Sequence, residues 1–288
     1  MKKILIYLDT DPIASTFDAV VAYDAGVDNV ISYADITADK CSSIVEGAIY
    51  TRPPKHKHNT EIMIGGSDLD KGESLKEAVC KQFFDRFRVS VMLDSCGCNT
   101  TAAAGVALLA EHHTLSGKIV TVLAGTGPVG QRAAIMLAQA GAKTVRLTSR
   151  RLVRAEQACE LADKQYRVEL QPYECNDNQS IDAALDGAHI VFCAGKTGVQ
   201  LLEAAQWQNH STLEAMVDVN TQPPLGIEGI DMMDSNVLYH DRCAIFGGLT
   251  VGALKLKLQR ACVAALFEHN ELVLDSEEIY KRATALLK

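Results

Sequence analysis

Apolar and polar positions alternate along the chain in short blocks whose period switches between that of a strand and that of a helix. Ile4 to Leu8 is a compact apolar run closed by Asp9, the pattern of a short buried strand. Asp11-Pro12 then offers an N-cap with proline in the first helical turn, and Ile13, Phe17, Val20 and Val21 follow at helical spacing until Gly26. Strands are predicted at Val30–Tyr33 and at Ile62–Ile64, the latter stopped by Gly65-Gly66. A helix carrying Leu75, Ala78, Val79 and Phe83 on one face leads to a strand at Val89–Leu93. Residues 99–113 form a helix whose Ala/Gly-rich body predicts close packing against another element.

At Ser116-Gly117 the pattern restarts with a buried strand over Lys118–Ala124. Strand-like runs recur at Thr144–Leu147, Val168–Leu170, Ile190–Ala194 and Met216–Val219. A long helix is predicted from about Ala253 to His269, with Leu254, Leu258, Cys262 and Ala265 on one stripe. A last helix begins at Asp275, with Glu278 in capping-box position. Strands joined through helices imply largely parallel sheets. The expected fold is α/β with two domains. A Rossmann-type doubly wound unit spans 116–252, and an N-terminal α/β domain (1–115) is completed by returning C-terminal helices (253–288).

Composition narrows the class. The 288 residues carry a formal charge of −8 and a sequence pI near 5.5, which argues against general nucleic-acid binding. The longest apolar stretch, Ala102 to Ala110, is about half a bilayer span, so no membrane partner is expected. Lys2-Lys3 precedes too short an apolar run to be a signal peptide. Nine cysteines then read as reduced thiols of a cytoplasmic protein.

The strongest chemical signal is Gly125-Thr126-Gly127-Pro128-Val129-Gly130, a GxGxxG loop between a predicted strand and a helix. A dinucleotide site needs one glycine for the turn, one to admit the pyrophosphate, and one for helix–strand packing. At the end of the next strand an NAD site usually carries a carboxylate for the ribose 2′-hydroxyl. Here Ser149, Arg150 and Arg151 stand there instead, with Arg154 one turn on. Guanidinium forks suit a 2′-phosphate, so the cofactor expected is NADP. Ala194 and Gly195 close one further strand and Asn220 follows another, where an open α/β sheet meets its ligand. No metal site is expected: Cys96-x-Cys98 lacks a second pair, and His56, His58, His112 and His113 have no ligand-set spacing.

Motifs beyond the loop carry a family resemblance over nearly the whole chain. They include Asp9-Thr-Asp11 with Phe17-Asp18, Tyr50-Thr51-Arg52, Asp94-Ser95-x-Gly97-x-Asn99-Thr-Thr, and Leu123-Ala-Gly-Thr-Gly-Pro-Val-Gly130. Trp207-Gln208-Asn209, Gln222-Pro-Pro-Leu-Gly-Ile227, Gly229-Ile-Asp231 and Leu254-Lys-Leu-Lys-Leu258 with Arg260-Ala-Cys262 continue them. The sequence resembles the NADP-dependent methylene-tetrahydromethanopterin dehydrogenases of methylotrophic bacteria, some of which accept methylene-tetrahydrofolate. It departs from them at Cys96 and Cys98 and over 173–186.

The resemblance implies hydride transfer from the one-carbon bridge of a reduced pterin to NADP, in a homo-oligomer, a trimer. It implies Asp9, Phe17, Asp94 and Asn99 as pterin-binding residues. The two aspartates would favour developing positive charge, while Phe17 stacks on the pterin or belongs to the core. Lys255 is the implied catalytic residue, orienting the pterin or hydrogen-bonding its polar atoms; the alternatives there are Lys257 or a plain surface lysine. Two other functions stay open: a methylene-tetrahydrofolate dehydrogenase/cyclohydrolase, and a non-catalytic NADP-sensing protein.

Overall fold

The computed structural model describes residues 1–288, which divide into two compact units. Unit 1 comprises Met1–Thr100 and Leu256–Arg282, and unit 2 comprises Thr101–Lys255 and Ala283–Lys288. In chain order, unit 1 opens with β1 (Ile4–Asp9), α1 (Thr16–Asp24), β2 (Asn29–Tyr33), α2 (Ser42–Tyr50), β3 (Thr60–Gly65), α3 (Leu69–Cys80) and β4 (Val91–Leu93). The helix α4 (Cys98–His112) crosses into unit 2. There follow β5 (Ile119–Leu123), α5 (Pro128–Gln139), β6 (Thr144–Ser149), α6 (Leu152–Tyr166), β7 (Gln171–Glu174), α7 (Asn178–Leu185) and β8 (Ile190–Cys193). The one-turn α8 (Ala204–Trp207), β9 (Ala215–Asp218), β10 (Ser235–Tyr239) and β11 (Cys243–Phe246) complete that sheet. The chain then runs through α9 (Gly248–Leu266), β12 (Val273–Leu274) and α10 (Ser276–Ala285). No helix is long and apolar enough to cross a membrane.

Unit 1 holds a five-stranded sheet in the order β12-β4-β3-β1-β2, parallel throughout. Strand period puts Ile6, Leu8, Ile62, Ile64, Val91 and Leu93 on one face, where Val45, Ala48 and Ile49 of α2 and Leu75 and Val79 of α3 cover them. Full burial of each such side chain contributes about 1.5–3 kcal/mol. The opposite face carries Tyr7, bonded to Asp18 on α1, and Asp18 is held in turn by Gln259 of α9.

Unit 2 holds a seven-stranded sheet in the order β10-β11-β9-β8-β5-β6-β7, with only β10 antiparallel. The chain winds outward from β5 through β6 and β7, then returns to β8 on the other side of β5. The topological switch point therefore lies between β5 and β8, beside the glycine loop. Val191, Cys193, Met216 and Ile245 share a core with Leu202, Trp207 and Ile227 on one face.

Several sequence expectations shift. The first unit was expected to run to residue 115, but the division falls at 100/101, inside α4. The reason is Gly105, where a Cβ would come within 2.7 Å of Phe192 and 3.4 Å of Val217, so the small-residue body of α4 packs on the second sheet. The C-terminal return belongs to unit 1 over 256–282 rather than 253–288. Helix α1 starts at Thr16, capped by Ser15, because Asp11 is spent on Ser67, whose N–H and hydroxyl it accepts at 3.0 and 2.9 Å. Val168 and Leu170 are buried but precede β7, which pairs with β6 from Gln171 onward. Helix α9 runs from Gly248 to Leu266, starting before the expected Ala253. A Cβ on Gly247 would strike the Asp231 carbonyl oxygen at 2.3 Å, so the glycines there serve close packing.

Candidate functional site

The glycine loop sorts its three glycines by steric role. A Cβ on Gly125 would lie 2.7 Å from the Leu147 side chain and 3.1 Å from Thr148 N. One on Gly130 would lie 2.7 Å from Gly125 Cα and 2.8 Å from the Ala124 carbonyl oxygen. Gly127 differs: its nearest neighbour would be the Ala124 oxygen at 3.6 Å, ordinary contact. The protein itself does not require Gly127 to lack a side chain; a group approaching from outside would. Gly127 is the N-cap of α5 and Pro128 its first residue. The Val129 and Gly130 amides precede the first intrahelical bond, from Gln131 N to Gly127 O (2.9 Å), and so have no acceptor within the helix. Thr126 lends its carbonyl to Gln131 Nε2 at 3.0 Å, bracing the turn.

Beside this loop, β6 ends at the buried Ser149, whose hydroxyl accepts from Arg151 N at 3.4 Å. Arg150, Arg151 and Arg154 are exposed at the start of α6. Sequence reasoning missed Glu174, which pairs with Ser149 across the sheet and accepts Leu152 N at 3.4 Å. On the other side of the switch point, Ala194 N bonds to Leu123 O at 3.1 Å and Gly195 follows. Asn220 is buried beyond β9, and its Nδ2 has no hydrogen-bond partner. The residues expected at a nucleotide thus gather at one sheet edge.

The residues implied for a pterin lie at the carboxyl edge of the unit 1 sheet, but not as open charges. Asp9 is buried, taking Asp11 N on Oδ1 and Ser15 N with the Tyr7 hydroxyl on Oδ2, each at 2.9 Å. Asp94 is also buried, its oxygens accepting Thr100 N (3.0 Å) and Thr100 Oγ1 (2.7 Å). Both carboxylates order their own loops. Asn99 gives Nδ2 to Leu93 O at 2.7 Å, while its buried Oδ1 is unpartnered. Phe17 is 53% exposed, which removes the reading that placed it in the core. Cys96 sits exposed in a left-handed conformation (φ 56°), its N–H donating to Gly66 O at 2.6 Å.

Burial, then the charges of Asp18 and Asp9, push the Tyr7 phenol far above its ordinary pKa. Its single proton serves two carboxylates, each 2.9 Å away. Lys255 is half-buried on α9, between the buried Leu254 and Leu258, and Lys257 is exposed. Gln259, one turn beyond Lys255, is fully buried and donates to Asp18 at 2.7 Å. No group of three His, Cys, Asp or Glu side chains is arranged to hold a metal ion.

Two parallel α/β units, one of them wound about a glycine loop at its switch point, place the chain in the class of two-domain Rossmann-type folds. In agreement, it superposes on a shikimate 5-dehydrogenase from Listeria monocytogenes with a TM-score of 0.59 at 14% identity, covering 100% of this chain and 96% of that one. Residues 16–96 match the family model described as methylene-tetrahydromethanopterin dehydrogenase, N-terminal. The chain is 50% identical to the bifunctional protein MdtA of Methylorubrum extorquens over 98% of both sequences. It is 30% identical to the NAD(P)-dependent methylenetetrahydromethanopterin dehydrogenase of the same organism, over 94% of each. The chain belongs to the methylene-tetrahydromethanopterin dehydrogenase family.

Proposed function

We propose that the protein oxidises methylene-tetrahydromethanopterin to the methenyl form by direct hydride transfer to NADP. The observation that carries the reading is the steric freedom of Gly127 beside two glycines that have none, in a chain of this family. That freedom fits a pyrophosphate against the backbone, with the Val129 and Gly130 amides as donors. Ser149, Arg150, Arg151 and Arg154 would hold the 2′-phosphate, and Ala194, Gly195 and Asn220 the riboside end. When bound, the cofactor supplies the hydride acceptor.

The chain's own part is positioning and electrostatics. Removing hydride from the methylene carbon leaves a cation shared by its two flanking nitrogens, so no side chain needs to move a proton. Buried Asp9 and Asp94 lower the cost of that charge through space. Asn99 Oδ1, an acceptor without a protein donor, suits a ring N–H or amino group. A protonated Lys255 would oppose the product cation, so its role is to orient the pterin through its polar atoms.

The test is a stopped assay pairing methylene-tetrahydromethanopterin and methylene-tetrahydrofolate with NADP and NAD. The highest turnover is expected with the methanopterin and NADP. NADP binding without pterin-dependent reduction would replace the enzyme with a sensor. Preference for the folate would shift the substrate.

A further inference from the structure

Asp218 closes β9 opposite Cys193, which closes β8. It is fully buried, and its two oxygens tie down both ends of the excursion that follows. Oδ1 accepts Asn220 N and Oδ2 accepts Ile227 N, each at 3.0 Å. The buried Cys193 thiol lies beside the same carboxylate. Burial raises the Asp218 pKa, while the N–H groups of Asn220, Ile227 and Gly226 pull the other way. One carboxylate thus organises residues 219–227, including Pro223-Pro224.

Asn220 is boxed in from three sides. A Cβ on Gly226 would lie 2.8 Å from Asn220 Nδ2, 2.4 Å from Cys193 Sγ and 3.0 Å from Asp218 Oδ1. A Cβ on Gly248, at the start of α9, would strike the Asn220 carbonyl oxygen at 2.1 Å. The amide lies close enough to Asp218 to help hold its charge, yet Nδ2 completes no hydrogen bond. The Cβ position of Gly195, the glycine that follows β8, is 3.7 Å from that nitrogen. A buried, fixed donor without an acceptor therefore sits at the sheet edge where an open α/β fold takes its ligand.

We propose that Asn220 Nδ2 donates to an oxygen of the cofactor's nicotinamide-riboside half, and that Asp218 is the positioning residue that aims it. This rests on the reading above that a nicotinamide dinucleotide crosses the switch point. The adenosine half, over the glycine loop and the β6 arginines, owes nothing to Asp218.

The experiment is calorimetric titration of wild type, Asp218→Asn and Asn220→Ala with NADP and with 2′,5′-ADP, which lacks the nicotinamide riboside. Both variants should weaken NADP about tenfold and leave 2′,5′-ADP unchanged. Their NADP KM should rise with the pterin KM constant. A merely structural role for Asp218 would weaken both ligands alike. Equal weakening, or none, overturns the proposal. Asn220→Ala removes only an amide and decides the donor if Asp218→Asn does not fold. In that event Cys193→Ala, which removes the side chain packed beside the carboxylate, must reproduce the split, or Asp218 loses its role. A wild type that binds neither ligand overturns the cofactor reading itself, a separate failure.

Discussion

The two parallel sheets end in loops of opposite chemistry. In unit 2, β5 runs into a turn cleared of side chains, where glycine brings Gly130 against Gly125 and leaves Gly127 open. In unit 1, β1 runs into Asp9 and β4 into Asp94, and each carboxylate is consumed by N–H and O–H groups of the loop that follows it. Asp218 in unit 2 repeats that second device, accepting the N–H of the residue two positions on, as Asp9 does. A strand end that must take a phosphate keeps its backbone donors free; one that must hold a shaped loop supplies its own anion. A carboxylate at a strand end is therefore weak grounds for a ligand contact, whereas a glycine the protein does not need is strong grounds.

Asp9→Ala should break the unit 1 side of this comparison most severely. It strands Asp11 N and Ser15 N and leaves the Tyr7 hydroxyl with Asp18 alone, and each shielded group left without a partner costs about 1–3 kcal/mol. We expect a loss of about 4 kcal/mol in urea unfolding. NADP affinity of the fraction that stays folded should not change. A loss below about 1 kcal/mol would mean that the loop does not depend on the carboxylate.

The glycine loop should respond differently at each position. Gly130→Ala forces a methyl to 2.7 Å from Gly125 Cα, where backbone must move, and should cost about 2–3 kcal/mol as well as NADP binding. Gly127→Ala has room, and the lost backbone freedom of the unfolded chain offsets any strain. Its thermal midpoint should stay near wild type while NADP affinity falls at least tenfold. Wild-type affinity in Gly127→Ala would show that nothing approaches that backbone from outside.

The contrast explains what was readable in the sequence. The glycine loop was legible because its steric demands sit in six consecutive residues, and the order of apolar runs revealed the parallel α/β class. The hairpin of β10 and β11 was not, since Ser235–Tyr239 is an exposed edge strand without a buried alternation. The start of α9 was hidden by glycines whose low helix propensity is overridden by close approach to Met232 and Asn220. Asp9, Asp94 and Asp218 were visible as residues, but the donors of Ser15, Thr100 and Ile227 that consume them become neighbours only on folding. The division inside α4 depends on Gly105 meeting Phe192, a contact across 87 positions of chain that no local pattern records.

The last contrast concerns a buried acid without such a shell. Asp9 gathers three donors, whereas Glu61 near the start of β3 gathers one, the Ser90 N–H, and its Oε1 has none. Desolvation pushes the Glu61 carboxyl up to about 10, against an ordinary 4.5, with the Ser90 bonds opposing. Between those limits the folded protein keeps a proton that the unfolded chain has released. Stability then falls as pH rises through that window, by about 1.4 kcal/mol per unit, and is fully present below the unfolded value. Glu61→Gln keeps the shape and the acceptor for Ser90 but cannot ionise, so its unfolding free energy should lose this slope. The variant should match wild type near pH 5 and exceed it progressively at pH 7 and 8 in urea titrations. Parallel curves for the two proteins across that range would mean that Glu61 is ionised in the fold, and that a strand carboxylate here needs no shell of donors.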